Sequence, residues 1–219
     1  MHGKVQVRHT RSADIGDLIA LQKRIYPSIT PWTEARFREQ IETFPQGQIV
    51  AELNGQIVGA ACSLIVLWDD WGPEHNWKEI TAAGTFRTHD PSGYTLYGAD
   101  VFVDTAIRRR GIGHALYEGR RTICRSLNLK RIIACGRLPN YHQFADRMAA
   151  DLYAMKVVWG DIYDPVLRFQ IGEGFQFCGV IDGYLPEDKD SCGYASIIVW
   201  LNKAFDRDKP RHFPEGGIL

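Results

Sequence analysis

A segment in the middle of the chain, residues 101–116, constrains the fold more than any other part of the sequence. It begins at the end of an apolar stretch (residues 94–103) and runs through a basic loop to Gly111 and Gly113, which open an amphipathic stretch (residues 111–127). These two patterns predict a buried strand followed by a helix. A further strand is predicted directly after that helix, so the chain requires a sheet with helices packed on it.

The remaining hydrophobic patterning predicts a mixed α/β (α+β) fold with helices on both faces of the sheet. Asn54 and Gly55 form the strongest hairpin signal in the chain. Ser12 and Thr30 are the predicted N-caps of the first two helices. The other strands are predicted over residues 5–8, 48–53, 56–67, 131–135, 175–185 and 194–201. The helices are predicted over residues 12–26, 30–45, 111–127, 144–159 and 165–172, with a short one over 75–83.

The composition is typical of a globular protein, with 45% hydrophobic and 24% charged residues among 219. We predict one domain over residues 1–201, followed by a loose polar tail over residues 202–219. Lys+Arg and Asp+Glu both number 26, so no global field favours nucleic acid or a membrane surface. No apolar stretch is long enough to span a bilayer, and the first residues lack the apolar region of a signal peptide.

The cysteines and histidines indicate neither disulfides nor metal. Five cysteines are scattered without a C-x-x-C pair, which is typical of reduced thiols and predicts a cytoplasmic protein. The histidines share no ligand spacing with carboxylates or cysteines, and no H-E-x-x-H sequence occurs. No metal site is therefore predicted.

The chemistry of the 101–116 segment points to a phosphate site. Amides at a helix N-terminus attract anions, and glycine lets the backbone approach a ligand closely. A P-loop is excluded because His114 and Ala115 follow Gly113, and a dinucleotide fingerprint because Leu116 replaces its third glycine. The alternative is a tight strand-to-helix turn with solvated arginines. The side chains that can add charge-assisted bonds are Arg108, Arg109 and Arg110.

The pattern Arg108-x-x-Gly111-x-Gly113 after an apolar strand resembles the acetyl-CoA-binding motif of the GNAT superfamily of acetyltransferases. The resemblance covers roughly residues 5–201. More narrowly, residues 131–141, 164–169 and 184–186 resemble GNAT modules that are fused to nitrilase-type hydrolases in bacteria. The resemblance implies a mostly antiparallel central sheet of about seven strands, acetyl-CoA as cosubstrate and an amine as acceptor.

The resemblance also implies roles for individual residues. The backbone of Val101, Phe102 and Val103 would pair with the pantetheine arm of the coenzyme. Arg108 would order the loop or contact phosphate. The main-chain amides that would hold the pyrophosphate are those of Arg109, Arg110, Gly111, Ile112, Gly113 and His114.

The catalytic residues are less clearly indicated. Many family members carry an acidic tyrosine five residues before the phenylalanine of a Gly-Phe pair, a position occupied here by Gln170, which is not a general acid. Asp100 is the preferred candidate for the general base, and Tyr97 is the second. A salt bridge to Arg131 or another nearby cation is the alternative role for Asp100. Three tyrosines are left as candidates for the acid: Tyr141, Tyr163 and Tyr184.

We therefore predict an N-acetyltransferase in which the amine of a small molecule or protein attacks acetyl-CoA directly. The alternative is a CoA-binding module without turnover, which serves as a regulatory or partner-binding domain. The long insertion at residues 141–159 carries apolar residues at helical spacing. It is predicted to cover the cleft as a lid or to meet a second subunit in a homodimer, and the lid is favoured.

Overall fold

Seven strands form one sheet in the computed structural model, which describes residues 3–26, 30–107, 110–213 and 219. Their order across the sheet is β1-β2-β3-β4-β5-β7-β6, and among the described strands only β4 and β5 pair in parallel. The predicted mixed, mostly antiparallel sheet is confirmed. The strands are β1 (Gln6–His9), β2 (Gln48–Leu53), β3 (Gln56–Val66), β4 (Thr95–Val103), β5 (Arg131–Arg137), β6 (Gln176–Ile181) and β7 (Ala195–Leu201).

Helices cover both faces of this sheet, as the sequence predicts. One face carries a core that includes Leu116, Ile123 and Tyr153, and the other carries two cores that include Leu18 and Tyr97. None of the described helices is long and apolar enough to cross a membrane. The helices are α1 (Ile15–Ile25), α2 (Glu34–Thr43), α3 (Trp77–Ile80), α4 (Ile112–Ser126), α5 (Ala150–Trp159) and α6 (Pro165–Gly172).

The predicted N-caps of the first two helices are wrong. The chain enters α1 through a 3-10 turn, Ser12–Asp14, and it is the Asp14 carboxylate that accepts the Arg11 amide at 2.7 Å. The hydroxyl of Thr33, not Thr30, caps α2 by accepting the Arg36 amide at 3.2 Å. The Trp32 amide donates to the Gln22 side chain, and the helix begins only after this contact.

The insertion contains a shorter helix than predicted, because turns occupy residues 144–149 and α5 begins only at Ala150. The buried residues of α5 belong to the main core, and the Tyr153 hydroxyl donates to Asp164, the cap of α6, at 2.9 Å. A mobile lid would have to expose this core, so the structure argues against the lid. The exposed side, with Leu152 and Trp159, keeps the interface alternative as a prediction.

The described part of the tail, residues 202–213, is held to the domain, which corrects the prediction of a loose tail. The Asn128 amide donates to the carbonyls of Asp206 and Lys209 at 2.8 and 2.9 Å. The Arg211 guanidinium lies 4.2 Å from the centre of the Tyr94 ring. The polar composition of the tail conceals the bonds from Asn128, because they use backbone carbonyls.

His89 makes the stability of the fold dependent on pH. Its Nδ1 accepts the Ile65 amide at 3.0 Å and its ring stacks on Phe44, so the structure requires a neutral imidazole. Burial lowers the pKa of His89 from 6.5 to about 4. The unfolded chain therefore takes up the proton first, and stability is full above pH 6.5 and falls as the pH drops towards 4.

We expect urea denaturation to show a loss from His89 of about 2 kcal/mol over that range, after allowance for its partial exposure. The variant His89→Gln keeps an acceptor for the Ile65 amide and does not titrate. Its stability should fall less steeply with acid than that of the wild type. Equal slopes in the two proteins would contradict the role assigned to His89.

Candidate functional site

The candidate site lies where β4 and β5 separate. The two strands pair from Thr95 and Arg131 to Gly98 and Ala134, and no farther. Opposite Cys62 and Ser63 of β3, the register shifts and Ala99 becomes an extra residue in β4. This bulge bends the strand, so the last residues of β4 face an open edge.

The amides at this open edge have a direction that follows from strand geometry. The Asp104 amide donates to the Val58 carbonyl of β3 at 2.8 Å. Amides alternate in direction along a strand, so those of Val101 and Val103 point away from β3, towards the open edge. The Phe102 side chain packs on the α1 face, whereas the two valines pack on the α4 face. The edge thus offers backbone groups of the kind predicted to pair with pantetheine.

The glycine turn stands at the N-terminus of α4. Gly111 is the N-cap residue with φ 70°, a left-handed conformation that favours glycine. Among the described residues, nothing lies within 4 Å of the position that a Cβ of Gly111 would take. The first helical bond runs from the Ala115 amide to the Gly111 carbonyl at 2.9 Å, so the amides before it have no acceptor within the helix.

The structure describes only some of the basic residues of the loop. Arg108 and Arg109 lie outside the described residues. The Arg110 guanidinium donates to the Gly3 carbonyl at 3.1 Å, and His114 Nδ1 lies 3.1 Å from the Glu173 carboxylate. For Arg110 and His114, as for Gly111, Ile112 and Gly113, the predicted contact with an anion is through the main-chain amide.

Asp100 follows the bulge and is partly exposed. Burial raises the pKa of its carboxyl to about 6, although the charge of Arg120, the backbone amide of Val101 and the charge of Arg137 act in the opposite direction. The alternative of a salt bridge to Arg131 is wrong, because that guanidinium donates to the Thr95 hydroxyl at 3.0 Å. Asp100 is thus a carboxylate whose pKa lies close to neutral pH at an open strand edge.

Tyr97 lies behind Asp100 in a directed chain of hydrogen bonds. His75 Nδ1 lies 2.8 Å from the Gly72 carbonyl, so this nitrogen carries the proton and Nε2 is an acceptor. The Tyr97 hydroxyl donates to Nε2 at 3.0 Å and accepts from the Tyr184 hydroxyl at 2.7 Å. The Cys135 sulfur lies 3.8 Å from the same nitrogen. Tyr97 is fully buried, burial raises its pKa well above 10, and its proton is directed at His75 Nε2.

This chain of bonds should stabilise the fold. Tyr97→Phe leaves both His75 Nε2 and the Tyr184 hydroxyl without their partner, which we expect to lower the free energy of unfolding by about 2 kcal/mol. Tyr184→Phe, the matched control, leaves the bond from Tyr97 to His75 in place and should cost about 1 kcal/mol. Urea denaturation measures both values. A larger loss in Tyr184→Phe would contradict the direction derived for the chain.

Gln170 occupies the place of the usual tyrosine on α6. Its Nε2 donates to the Tyr117 hydroxyl of α4 at 3.2 Å, and its amide packs over Gly136 of β5. Among the described residues, its Oε1 has no hydrogen-bond partner. Of the tyrosines predicted as acids, Tyr141 donates to the Met148 carbonyl at 3.1 Å and Tyr163 is exposed. None of these contacts identifies an acid.

Sequence reasoning missed two side chains near the site, Arg120 and His75. Arg120 carried a readable signal, because it falls within the apolar stripe of α4 between Leu116 and Ile123 and is itself buried. His75 carried none, since its position depends on the fold of the long β3–β4 connection. No group of three or more His, Cys, Asp or Glu side chains that could hold a metal occurs in the described part of the chain.

Comparison with known proteins gives the following matches. The family model described as Acetyltransferase (GNAT) family matches residues 15–149. "Probable hydrolase YhcX" of Bacillus subtilis is 41% identical over 91% of this chain, which spans only 39% of that relative. "Uncharacterized N-acetyltransferase YkwB" of the same organism is 34% identical over 90% of this chain and 88% of its own length.

Two solved structures share the fold closely. The "GphF GNAT-like decarboxylase in complex with isobutyryl-CoA" has a TM-score of 0.74 and 28% identity, covering 90% of this chain and 98% of that one. The loading GNATL domain of CurA from Lyngbya majuscula has a TM-score of 0.76 and 22% identity, with coverage of 90% and 97%. The second likeness shows the fold alone.

Proposed function

The chain belongs to the Acetyltransferase (GNAT) family of acyltransferases that use CoA, and from that premise we propose that it transfers an acetyl group from acetyl-CoA to a primary amine. The observation that carries this proposal is the Asp100 carboxylate beside the open edge of β4, with a pKa of about 6. A carboxylate there is a base at neutral pH and attracts the cationic form of an amine.

The residues present fit CoA. The left-handed turn at Gly111 has open space where a side chain would stand, and the first amides of α4 are free of helical acceptors. These amides would hold the pyrophosphate, and the edge amides of Val101 and Val103 would pair with the pantetheine arm. When bound, the coenzyme supplies the acyl thioester. Arg108 and Arg109 remain proposed contributors to the phosphate site.

Asp100 would take a proton from the acceptor. A primary alkyl amine has a pKa of about 10.4 and arrives as ammonium, so it must lose a proton before it can attack. Asp100 would accept that proton directly or through one water, and a backbone N–H near Val103 would polarise the thioester carbonyl. Gln170 is not an acid, so the proposal leaves protonation of the departing thiolate to water.

An acceptor panel tests the proposal. The protein is incubated with acetyl-CoA and, separately, with aliphatic diamines, amino sugars, amino acids and peptides with free N-termini. Release of free thiol together with an acetylated acceptor, seen by mass spectrometry, supports it. Tight CoA binding by calorimetry without any turnover would instead favour a non-catalytic CoA-binding module.

Decarboxylation of an acyl-CoA is the second candidate function. It is favoured by the likeness to a GNAT-like decarboxylase at 28% identity and by Gln170, since a reaction that keeps the thioester needs no acid for a thiolate. The negative charge of Asp100 opposes it, because a substrate with a free carboxylate would be repelled. Conversion of malonyl-CoA into acetyl-CoA without an acceptor, followed by chromatography, would favour this function over acetyl transfer.

A further inference from the structure

We infer that Arg120 is a positioning residue of the acyl-transfer site, which fixes the bulge of β4 and thereby the positions of Asp100 and the open edge. The inference deepens the proposed function and rests on it. Arg120 lies on α4, behind the sheet as seen from Asp100, and no substrate contact is assigned to it. It would act through the strand.

The contacts of Arg120 converge on the bulge. Its Nη2 donates to the carbonyl of Asp100 and, at 2.8 Å, to the carbonyl of Cys62, the residue opposite. Its Nε donates to the Ser63 hydroxyl at 3.1 Å. A bulge leaves strand carbonyls without their regular ladder partners, and buried carbonyls need donors. One guanidinium meets this need on both strands at once.

The neighbouring glycine leaves room for this arrangement. A Cβ added to Gly98 would lie 3.0 Å from Arg120 Nη1. Gly98 is also the last residue of β4 that pairs with β5. The end of the parallel ladder, the bulge and the guanidinium therefore occupy one short stretch of β4, and a change at Arg120 is transmitted directly to the open edge.

The charge of Arg120 is buried, which is unfavourable unless its hydrogen bonds compensate. The side chain is 2% exposed, and among the described residues no carboxylate lies within salt-bridge distance of it. A buried charge without a paired anion is unfavourable unless its hydrogen bonds compensate. The next residue, Arg121, is also buried but pairs with Glu173 at 3.1 Å and with Glu118 at 2.8 Å. Arg121 is thus the matched control on the same helix.

Arg120 also contributes charge at Asp100. A nearby cation favours the ionised carboxylate and opposes the effect of burial on its pKa. The groups that act electrostatically with Asp100 come from five elements, namely Arg120 of α4, Arg137 of β5, Cys62 of β3, Tyr26 after α1 and Tyr184 after β6. The Arg120 guanidinium also bonds to the backbone of Asp100.

Three variants separate position from charge. Arg120→Met removes the hydrogen bonds to the bulge and the positive charge. Arg120→Lys keeps the charge but lacks the planar set of donors that binds both strands. Arg121→Met leaves the bulge untouched. The pKa of Asp100 is measured by carbon NMR titration, with Asp100→Asn identifying its signal, and turnover is measured against pH. The titration needs no substrate, so it remains informative if the protein acetylates none of the acceptors tested.

In Arg120→Met we expect the pKa of Asp100 to rise by about one pH unit, with the acid limb of turnover moving by the same amount. In Arg120→Lys the limb should stay near its wild-type position while kcat falls about tenfold and KM for acetyl-CoA stays within about twofold. Arg121→Met should change neither. An unshifted Asp100 titration in folded Arg120→Met, or wild-type kcat in Arg120→Lys, would overturn the inference. If Arg120→Met does not fold, the Lys variant decides alone.

Discussion

Gly111→Glu is expected to weaken CoA binding by about 100-fold or more, because it puts a negative charge at the turn that would hold the pyrophosphate. Gly111 has φ 70°, so any side chain also strains the turn, by about 1–2 kcal/mol. Calorimetric titration with CoA measures the affinity, and urea denaturation checks that the variant remains folded.

Gly111→Gln separates charge from strain. It has the same size and the same left-handed backbone as the glutamate variant, so both should lose a similar amount of stability. We expect the glutamine variant to bind CoA within about tenfold of the wild type, since it adds no like charge. Equal affinities for CoA in the glutamate and glutamine variants would show that the pyrophosphate does not bind at this turn.

Asp100→Asn is expected to lower turnover by about 100-fold or more at neutral pH while CoA affinity hardly changes. The amide cannot take up the proton of the amine. Because the pKa of Asp100 is about 6, wild-type turnover should rise as the pH increases through 6 and then level off, until other groups titrate. The variant should lack this rise.

Asp104→Asn is a suitable control for that experiment. Asp104 follows the last residue of β4, and its carboxylate accepts the Ala106 amide at 3.0 Å and the Arg24 guanidinium at 2.7 Å. These two bonds hold the pKa of Asp104 below its ordinary value, against the effect of burial. Its loss should reduce stability and leave the rise in turnover near pH 6 intact. A wild-type pH profile in Asp100→Asn would make Asp100 a structural residue.

The sequence predicted the strands and helices well where periodicity was strong. The strand before Val103 and the helix after Gly111 are confirmed, because their apolar spacing, glycines and polar flanks agree. The caps at Ser12 and Thr30 failed because tertiary contacts selected other starts. The Trp32 amide donates to the Gln22 side chain at 2.8 Å and keeps residues 30–33 out of the helix. No local pattern records such a contact.

The site was only partly accessible from the sequence. The roles of Gly111, Val101 and Val103 depend on where their backbone lies. The local strand-to-helix motif predicts that position, so these residues could be identified from the sequence. The pKa of Asp100 depends on which cations the fold brings near it, and these are Arg120 and Arg137 rather than Arg131. Side chains distant in sequence therefore determine the chemistry, and a single sequence does not reveal their approach.

The short parallel ladder between β4 and β5 links the stability of the protein in a cell to the binding of a ligand. Only four residue pairs join these two strands, and the backbone beyond them has unfilled pairing positions. A ligand that pairs there adds rungs between the two halves of the sheet, so binding and folding are linked. At a concentration 100 times its dissociation constant, such a ligand stabilises the folded state by about 2.7 kcal/mol. The melting temperature, and with it resistance to proteolysis, would then follow the supply of the coenzyme.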